Sequence, residues 1–508
     1  MHGIAIKRVL ILILSTFLLF SMCGCQTSPE RVNVTSKNDG AFNANVIQSA
    51  KESTNGESVN VITNVDEFYS TDGTVKFQMN INQEVVSTKM PVVEVAPHYL
   101  TEEDAKRVAE VIFPGGVFYE ARPDFEFELS KQEIQEYIGR WTPYIYQENL
   151  ATLYGKNKSG LSESDIIYAL KEAIEKLNED YPLADGTYDE LCKWTFQPDS
   201  LYCYAPQSLT GEDLSSNNKE ICADVNVDGV PYRLCFSKRD QQDFKLNYIY
   251  AYPHTYISPV GIDSAIYRAM LCRTDEPTQE QIEAIKETAQ KMLDSMELGD
   301  WEIDECKLIS NRIGNVTEYT IEISAVPTFN GVPAIRRPQL ANLKSDSSFA
   351  SNYYLTDAVI RFSSEGKLVL FEMYSTIDTT CVINENVATI PIDSLLEKAK
   401  DQLSLSDYNN YGVSGELLEH LQKQANEPFE CYIEICNLKY GMLRVKAPDT
   451  DERYYYVPGI ILSGTVDYVG KNTGTLYEAS GDTLYDSRII PLIALNAVDG
   501  TVIPLVNE

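Results

Sequence analysis

Apolar and polar positions alternate in short runs along the chain, and the runs come in pairs around a glycine. The pattern appears as "YSTDGTVKFQM" (69–79), "VNVDGVPYRL" (225–234), "VPTFNGVPAI" (326–335), "IRFSSEGKLVLF" (360–371) and "LNAVDGTVIPL" (495–505). Asp-Gly and Asn-Gly between alternating runs signal β-hairpins, because a type I′ turn needs positive φ at both central positions. Glu-Gly is the weaker version. Around Asp228-Gly229 a two-residue loop fixes the register. Val227 then faces Val230, Val225 faces Tyr232 and Ala223 faces Leu234, so one face is wholly apolar. On the other face Asn226 meets Pro231, Asp224 meets Arg233 and Cys222 meets Cys235. A slip of one residue would scramble both faces. Similar reasoning sets Phe68 opposite Phe77, and Phe362, Ile360 and Ala358 opposite Val369, Phe371 and Met373 on one apolar face. Pro327 sits badly for a regular ladder, so the Asn330-Gly331 hairpin is expected to be short or bulged.

Helical spacing fills the gaps between hairpins. "TEEDAKRVAEVIF" (101–113) offers Thr101 as N-cap with Asp104 in the capping-box position. "SESDIIYALKEAIEKLNEDYP" (162–182) carries Ile166, Leu170, Ala173, Ile174 and Leu177 on one stripe and stops at Pro182. "TQEQIEAIKETAQKMLDSM" (278–296) and "IDSLLEKAKDQL" (392–403) are similar. The DGVP and NGVP turns lie about 100 residues apart, as do the helices that precede them. The expected fold is therefore α+β: repeated units of an amphipathic helix packed on an antiparallel β-hairpin sheet, in two to three domains. Their expected limits are 61–260, 261–390 and 391–508.

The N-terminus reads differently. Lys7 and Arg8 precede an apolar stretch, Val9–Phe20, too short for an ordinary transmembrane helix. "SMCGC" follows. Gly24-Cys25 after such a core resembles the bacterial lipobox, with Met22 where leucine is usual. The resemblance implies a signal peptide over 1–24 and a diacylglyceryl-modified Cys25. Cys23 is a poor alternative, because Met22 would have to be the small residue. Two acyl chains suffice for stable anchoring. Residues 25–60 are then the lipidated cysteine and a Ser-, Asn-, Thr- and Gly-rich tether with a reach of roughly 30–35 Å. The implied location is the extracytoplasmic face of the cell membrane.

Composition narrows the partners. The net charge of −33 argues against nucleic acid, whose phosphates need Lys and Arg. Among the eleven cysteines there is no CxxC. Setting aside Cys23 and Cys25 leaves an odd number, and a Cys222–Cys235 bridge is open to the hairpin where the surroundings are oxidising.

"DVNVDG" (224–229) resembles the start of an EF-hand calcium loop through Asp224, Asn226 and Asp228. That loop needs a bidentate glutamate at its twelfth position, and Cys235 stands there. The hairpin register also gives Asp224 to Arg233, so no metal is assigned. No cofactor motif is present, and no GxSxG or HExxH. His98, His254 and His420 are far apart in sequence. Ser216–Lys219 matches SxxK in a polar loop without its companion motifs. The 32 tyrosines cluster at 248–256, 353–354 and 454–456. Tyr454, Tyr455 and Tyr456 are a candidate ligand surface, although tyrosine also suits half-buried strands.

The closing segment "IIPLIALNAVDGTVIPL" (489–505), after a helix and strands, resembles PepSY-type units of bacterial extracytoplasmic proteins. The whole layout is similar to uncharacterised clostridial lipoproteins. The resemblance implies architecture and location and supplies no activity. The expected function is a non-enzymatic binding or regulatory role at the cell envelope, with an envelope protein as partner. A glycan- or solute-binding surface lipoprotein is the alternative, and an enzyme without recognisable motifs is the remaining class.

Overall fold

A computed structural model describes residues 58–87, 90–120, 131–146, 163–180, 219–227, 230–241, 244–253, 276–313, 316–336, 357–405, 429–446, 453–470, 472–473, 476–477 and 490–503. The expected signal peptide, Cys25 and nearly all of the expected tether lie outside these residues. So do Asp228 and Gly229.

Strands β1 (Ser58–Tyr69), β2 (Val75–Ser87) and β3 (Val92–Pro97) lead to helix α1 (Glu102–Ile112). Next come β4 (Phe118–Glu120), α2 (Lys131–Trp141), a 3-10 turn over Thr142–Ile145 and α3 (Glu163–Asp180). A meander of β5 (Lys219–Val227), β6 (Val230–Gln241) and β7 (Phe244–Pro253) precedes α4 (Gln279–Met296). Then follow β8 (Trp301–Ile313), β9 (Val316–Phe329), β10 (Val332–Pro333), β11 (Ala358–Ser363), β12 (Leu368–Tyr374) and β13 (Ile377–Asn384). Helix α5 (Ile392–Ser404) separates these from β14 (Phe429–Lys446) and β15 (Tyr454–Gly470). β16 (Leu476–Tyr477), β17 (Ile490–Asn496) and β18 (Val502–Ile503) complete the described chain.

These strands form two nine-stranded sheets. The first runs β1-β2-β14-β15-β17-β18, with β3 and β16 also on β15 and β13 on β3. It is mixed, because β2 and β14 pair in parallel while their neighbours are antiparallel. The second runs β10-β9-β11-β12-β7-β6-β5-β4, with β8 on β9.

The expected α+β arrangement of repeated helix-on-hairpin units is overturned. The described residues form 18 strands and five α-helices in two large sheets, and the protein is mostly β. The reason is long-range pairing. β1–β3 from the chain start join strands from the chain end, and β7 pairs with β12. The sheets are thus assembled from distant segments and not from self-contained units.

The helices do follow the expected stripes. Thr101 caps α1 and Thr278 caps α4, each in a full capping box with Asp104 and Gln281. Ala105, Val108, Ala109 and Ile112 of α1 and Ile285, Ala289, Leu293 and Met296 of α4 pack on one face of the second sheet, over Leu234, Ile249, Ala251, Ile360, Phe371 and Met373. Leu395, Leu396, Ala399 and Leu403 of α5 pack on Phe77, Ile433, Ile460 and Leu495 of the first. Burying each of the valine, leucine, isoleucine and methionine side chains is worth about 1.5–3 kcal/mol, so the apolar stripe anchors each helix far more than propensity does.

The two sheets meet in a separate apolar cluster. Val93, Val95, Met442, Tyr454 and Tyr456 of the first sheet pack on Val326, Phe329 and Val332 of the second. Main chain joins the same seam, where the Ile335 N–H donates to the Met442 carbonyl at 2.8 Å. Asn330 (φ 52°) and Gly331 (φ 77°) make the tight turn between β9 and β10 there. That hairpin is short, with β10 only two residues long.

Candidate functional site

The side chains of a strand alternate between the two faces of its sheet. In β7, Ile249 and Ala251 are buried under α1 and α4. Tyr248, Tyr250 and Tyr252 therefore face the opposite way. β12 pairs with β7 so that Tyr374 lies across from Tyr248 and Glu372 from Tyr250. On the other flank Tyr252 faces Arg233, Tyr250 faces Cys235 and Tyr248 faces Ser237.

This register creates a ladder of four rings. Tyr374 stacks on Tyr248 at 4.5 Å between centroids, Tyr248 on Tyr250 at 4.7 Å and Tyr250 on Tyr252 at 5.7 Å. All four tyrosines are half-buried. The Tyr374 hydroxyl donates to the Tyr248 oxygen at 3.5 Å, and the Tyr248 hydroxyl donates to Glu372 Oε1 at 2.8 Å. Burial, with help from the Tyr374 hydrogen bond and the Glu372 charge, pushes the Tyr248 hydroxyl far above its usual range. Burial pushes Tyr374 up as well. Both phenols stay protonated, so this is a fixed donor chain that ends on a carboxylate.

Ion pairs flank the ladder on the same face. Arg233 Nε donates to Asp224 Oδ1 at 2.9 Å, with both residues buried. Arg361 Nε donates to Glu322 at 2.6 Å, and Arg336 Nε donates to Asp357 at 2.7 Å. Asp357 is buried and its carboxyl is pushed up by that burial, with the Arg336 charge opposing.

A second polar cluster lies where α1 meets β13. His98 Nδ1 lies 2.9 Å from Asp378 Oδ1, and its Nε2 lies 3.2 Å from Asp104 Oδ2. Arg107 donates to Asp104 at 2.5 Å and to the Met296 carbonyl at 2.8 Å. The hydroxyl of Thr101 donates to Asp104 at 2.7 Å and accepts from the Asp104 N–H at 3.2 Å. The hydroxyl is thus engaged in the helix cap. The cluster ties α1 to β13 and to the end of α4. Among the described residues no group of His, Cys, Asp and Glu is arranged to hold a metal ion.

The residues singled out in the sequence fall as follows. Cys222 and Cys235 are joined by a disulfide with Cα atoms 4.1 Å apart, at directly opposite positions of β5 and β6. Asp224 pairs with Arg233, and the Asn226 amide donates to Glu136 of α2 at 3.3 Å. Tyr454, Tyr455 and Tyr456 are buried, at 0%, 7% and 2% exposure, and offer no surface for a ligand. The reason is the seam. Tyr456 packs on Phe329 at 4.3 Å, and the Arg444 guanidinium lies 3.9 Å from the Tyr454 ring centre. Tyr248, Tyr250 and Tyr252 were legible as one strand face, but Glu372 and Tyr374 were not. Alternation in "LFEMYS" puts those two on a common face, yet nothing local says that β12 lies beside β7. No helix among the described residues is long and apolar enough to cross a membrane.

No family model matches the chain, and no curated protein matches it. Among solved structures the chain is similar to an uncharacterized protein from Eubacterium rectale. The identity is 12% and the TM-score 0.33, and the match covers 91% of this chain and 99% of that one. A score at that level carries no argument about fold or function.

Proposed function

We propose that the chain is a lipid-anchored protein of the extracytoplasmic face that binds an envelope component without catalysing a reaction. The lipobox-like Gly24-Cys25 after Val9–Phe20 carries this reading. The Cys222–Cys235 disulfide supports it, since such bonds persist in oxidising compartments. The polar face of the second sheet supports the binding half. Its tyrosines and Glu372 form a fixed, half-buried array.

The glycan alternative has less behind it. Tyr454–Tyr456 are buried, and the ladder tyrosines turn ring faces toward one another, which occupies surface a sugar would stack on. Membrane fractionation tests the location. Wild-type protein should sediment with the envelope and enter the detergent phase. Cys25→Ala should lose both properties. Equal membrane retention of Cys25→Ala would sink the reading.

A further inference from the structure

Strand β1 ends the first sheet, and among the described residues it pairs with β2 alone. The Ser70 N–H donates to the Val75 carbonyl at 2.9 Å. Bonded and non-bonded pairs alternate along an antiparallel ladder, and the β1–β2 register runs without a shift. Tyr69, Glu67, Val65, Thr63 and Val61 therefore turn their own N–H and C=O groups away from β2, toward the open edge. Ile62 and Phe68 pack into the cluster under α5, so those five side chains stand on the opposite face. All five are exposed, with Val61 at 65%, Val65 at 70% and Tyr69 at 47%. A long edge that shows apolar side chains is a template for another strand. Its two carboxylates are already neutralised, Asp66 by Lys400 at 2.7 Å and Glu67 by Lys76 at 2.9 Å.

We propose that β1 is a dimerisation edge, which pairs antiparallel with β1 of a second copy about a two-fold axis at Val65. The strand selects this occupant because it complements itself, as an isologous interface requires. With the axis there, Val65 faces the second copy's Val65, Val61 faces its Tyr69 and Thr63 faces its Glu67. On the α5 side, Ile62 faces the second copy's Phe68 and Asn64 faces its Asp66. Apolar residues thus meet apolar residues on both faces, and each carboxylate meets a hydroxyl or amide donor. The Thr63 hydroxyl is held only loosely, at 3.4 Å from Asn82 Oδ1, and is free to turn to that carboxylate. Neighbouring registers lose this match. An axis at Asp66 or Glu67 sets a carboxylate against itself, and one at Asn64 sets Ile62 against Asp66. An axis at Thr63 sets Ile62 against Asn64. The open backbone groups of the five edge residues then complete a ladder, and the first sheet continues from one copy into the other.

Sedimentation velocity of the full-length protein in detergent, over a concentration series, tests it. Wild type should pass from monomer to dimer. Added salt should favour the dimer, because it screens repulsion between two copies of net charge −33. Val65→Lys sets two ammonium groups against each other at the axis and should weaken dimerisation by about a hundredfold. Val65→Glu should do the same. An equimolar mixture of these two variants should recover the dimer by pairing lysine with glutamate, a result that misfolded variants cannot give. Val382→Lys, at an exposed position of β13, should behave as wild type. A protein that stays monomeric throughout would overturn the proposal and leave the edge to a strand of another protein. So would a dimer that survives Val65→Lys, one that Val382→Lys weakens equally, or one that salt dissociates. A mixture that stays monomeric would overturn the axis at Val65. The inference does not rest on the lipid anchor, so the Cys25 fractionation result stands or falls separately.

Discussion

Asp224 and Arg233 show how a cross-strand pair can be read from sequence and then acquires energetic meaning in three dimensions. The pair is buried, with Arg233 Nε 2.9 Å from Asp224 Oδ1. Removing one partner of a buried ion pair costs more than the pair contributes, because the remaining charge keeps its desolvation penalty. Asp224→Ala should therefore lower unfolding stability by about 3 kcal/mol, measured by denaturant titration. A loss below about 1 kcal/mol would match an exposed pair instead. Asp104 makes a pH-dependent contribution. Burial pushes its carboxyl up, but Thr101 and His98 pull it further down, leaving it below the usual carboxylate range. The unfolded chain, at about 3.9, then binds the proton more readily than the folded one. The contribution is present above roughly pH 4 and is lost as pH falls below it. Asp104→Asn should flatten the acid limb of the stability profile. An unchanged acid limb would show that Asp104 does not contribute.

Local elements were largely legible. The Thr101–Asp104 cap, the Phe68–Phe77 pair and the β5–β6 register depend on residues close in sequence, so spacing encodes them. The β11–β12 hairpin was legible in part. Ala358 and Ile360 pair with Met373 and Phe371, but a bulge after Arg361 sets Phe362 against Leu368. Helix α2 was not expected from the sequence, since two of its buried residues are Tyr137 and Trp141, which have modest helix propensity. Strand partners far apart were not legible. Ile433 pairs with Phe77 and Val95 with Tyr454, yet each strand alone offers the same alternation to any neighbour. At the element scale Gly464 is a sharp test. A Cβ there would run into the Glu434 carbonyl across the β14–β15 ladder. Gly464→Ala should cost about 1–3 kcal/mol and lower the melting temperature. Wild-type stability would mean that β14 and β15 do not approach as described.

At the scale of the whole molecule, two sheets joined by an apolar seam replace the row of helix-on-hairpin units that the turns suggested. The seam explains why Tyr454–Tyr456, prominent in the sequence, are buried. The same assembly brings β12 to β7 and so creates the tyrosine–glutamate strip. Sequence supplied three of that strip's five residues, because Tyr248, Tyr250 and Tyr252 share one strand. We propose that lipid holds this body outside the cytoplasm. Peptide mass spectrometry of protein purified from its native envelope, without reduction, addresses it most directly. A mature N-terminus at Cys25 carrying a diacylglyceryl group, and a linked Cys222–Cys235 peptide pair, are expected. An unmodified Cys25 together with free thiols at Cys222 and Cys235 would contradict it.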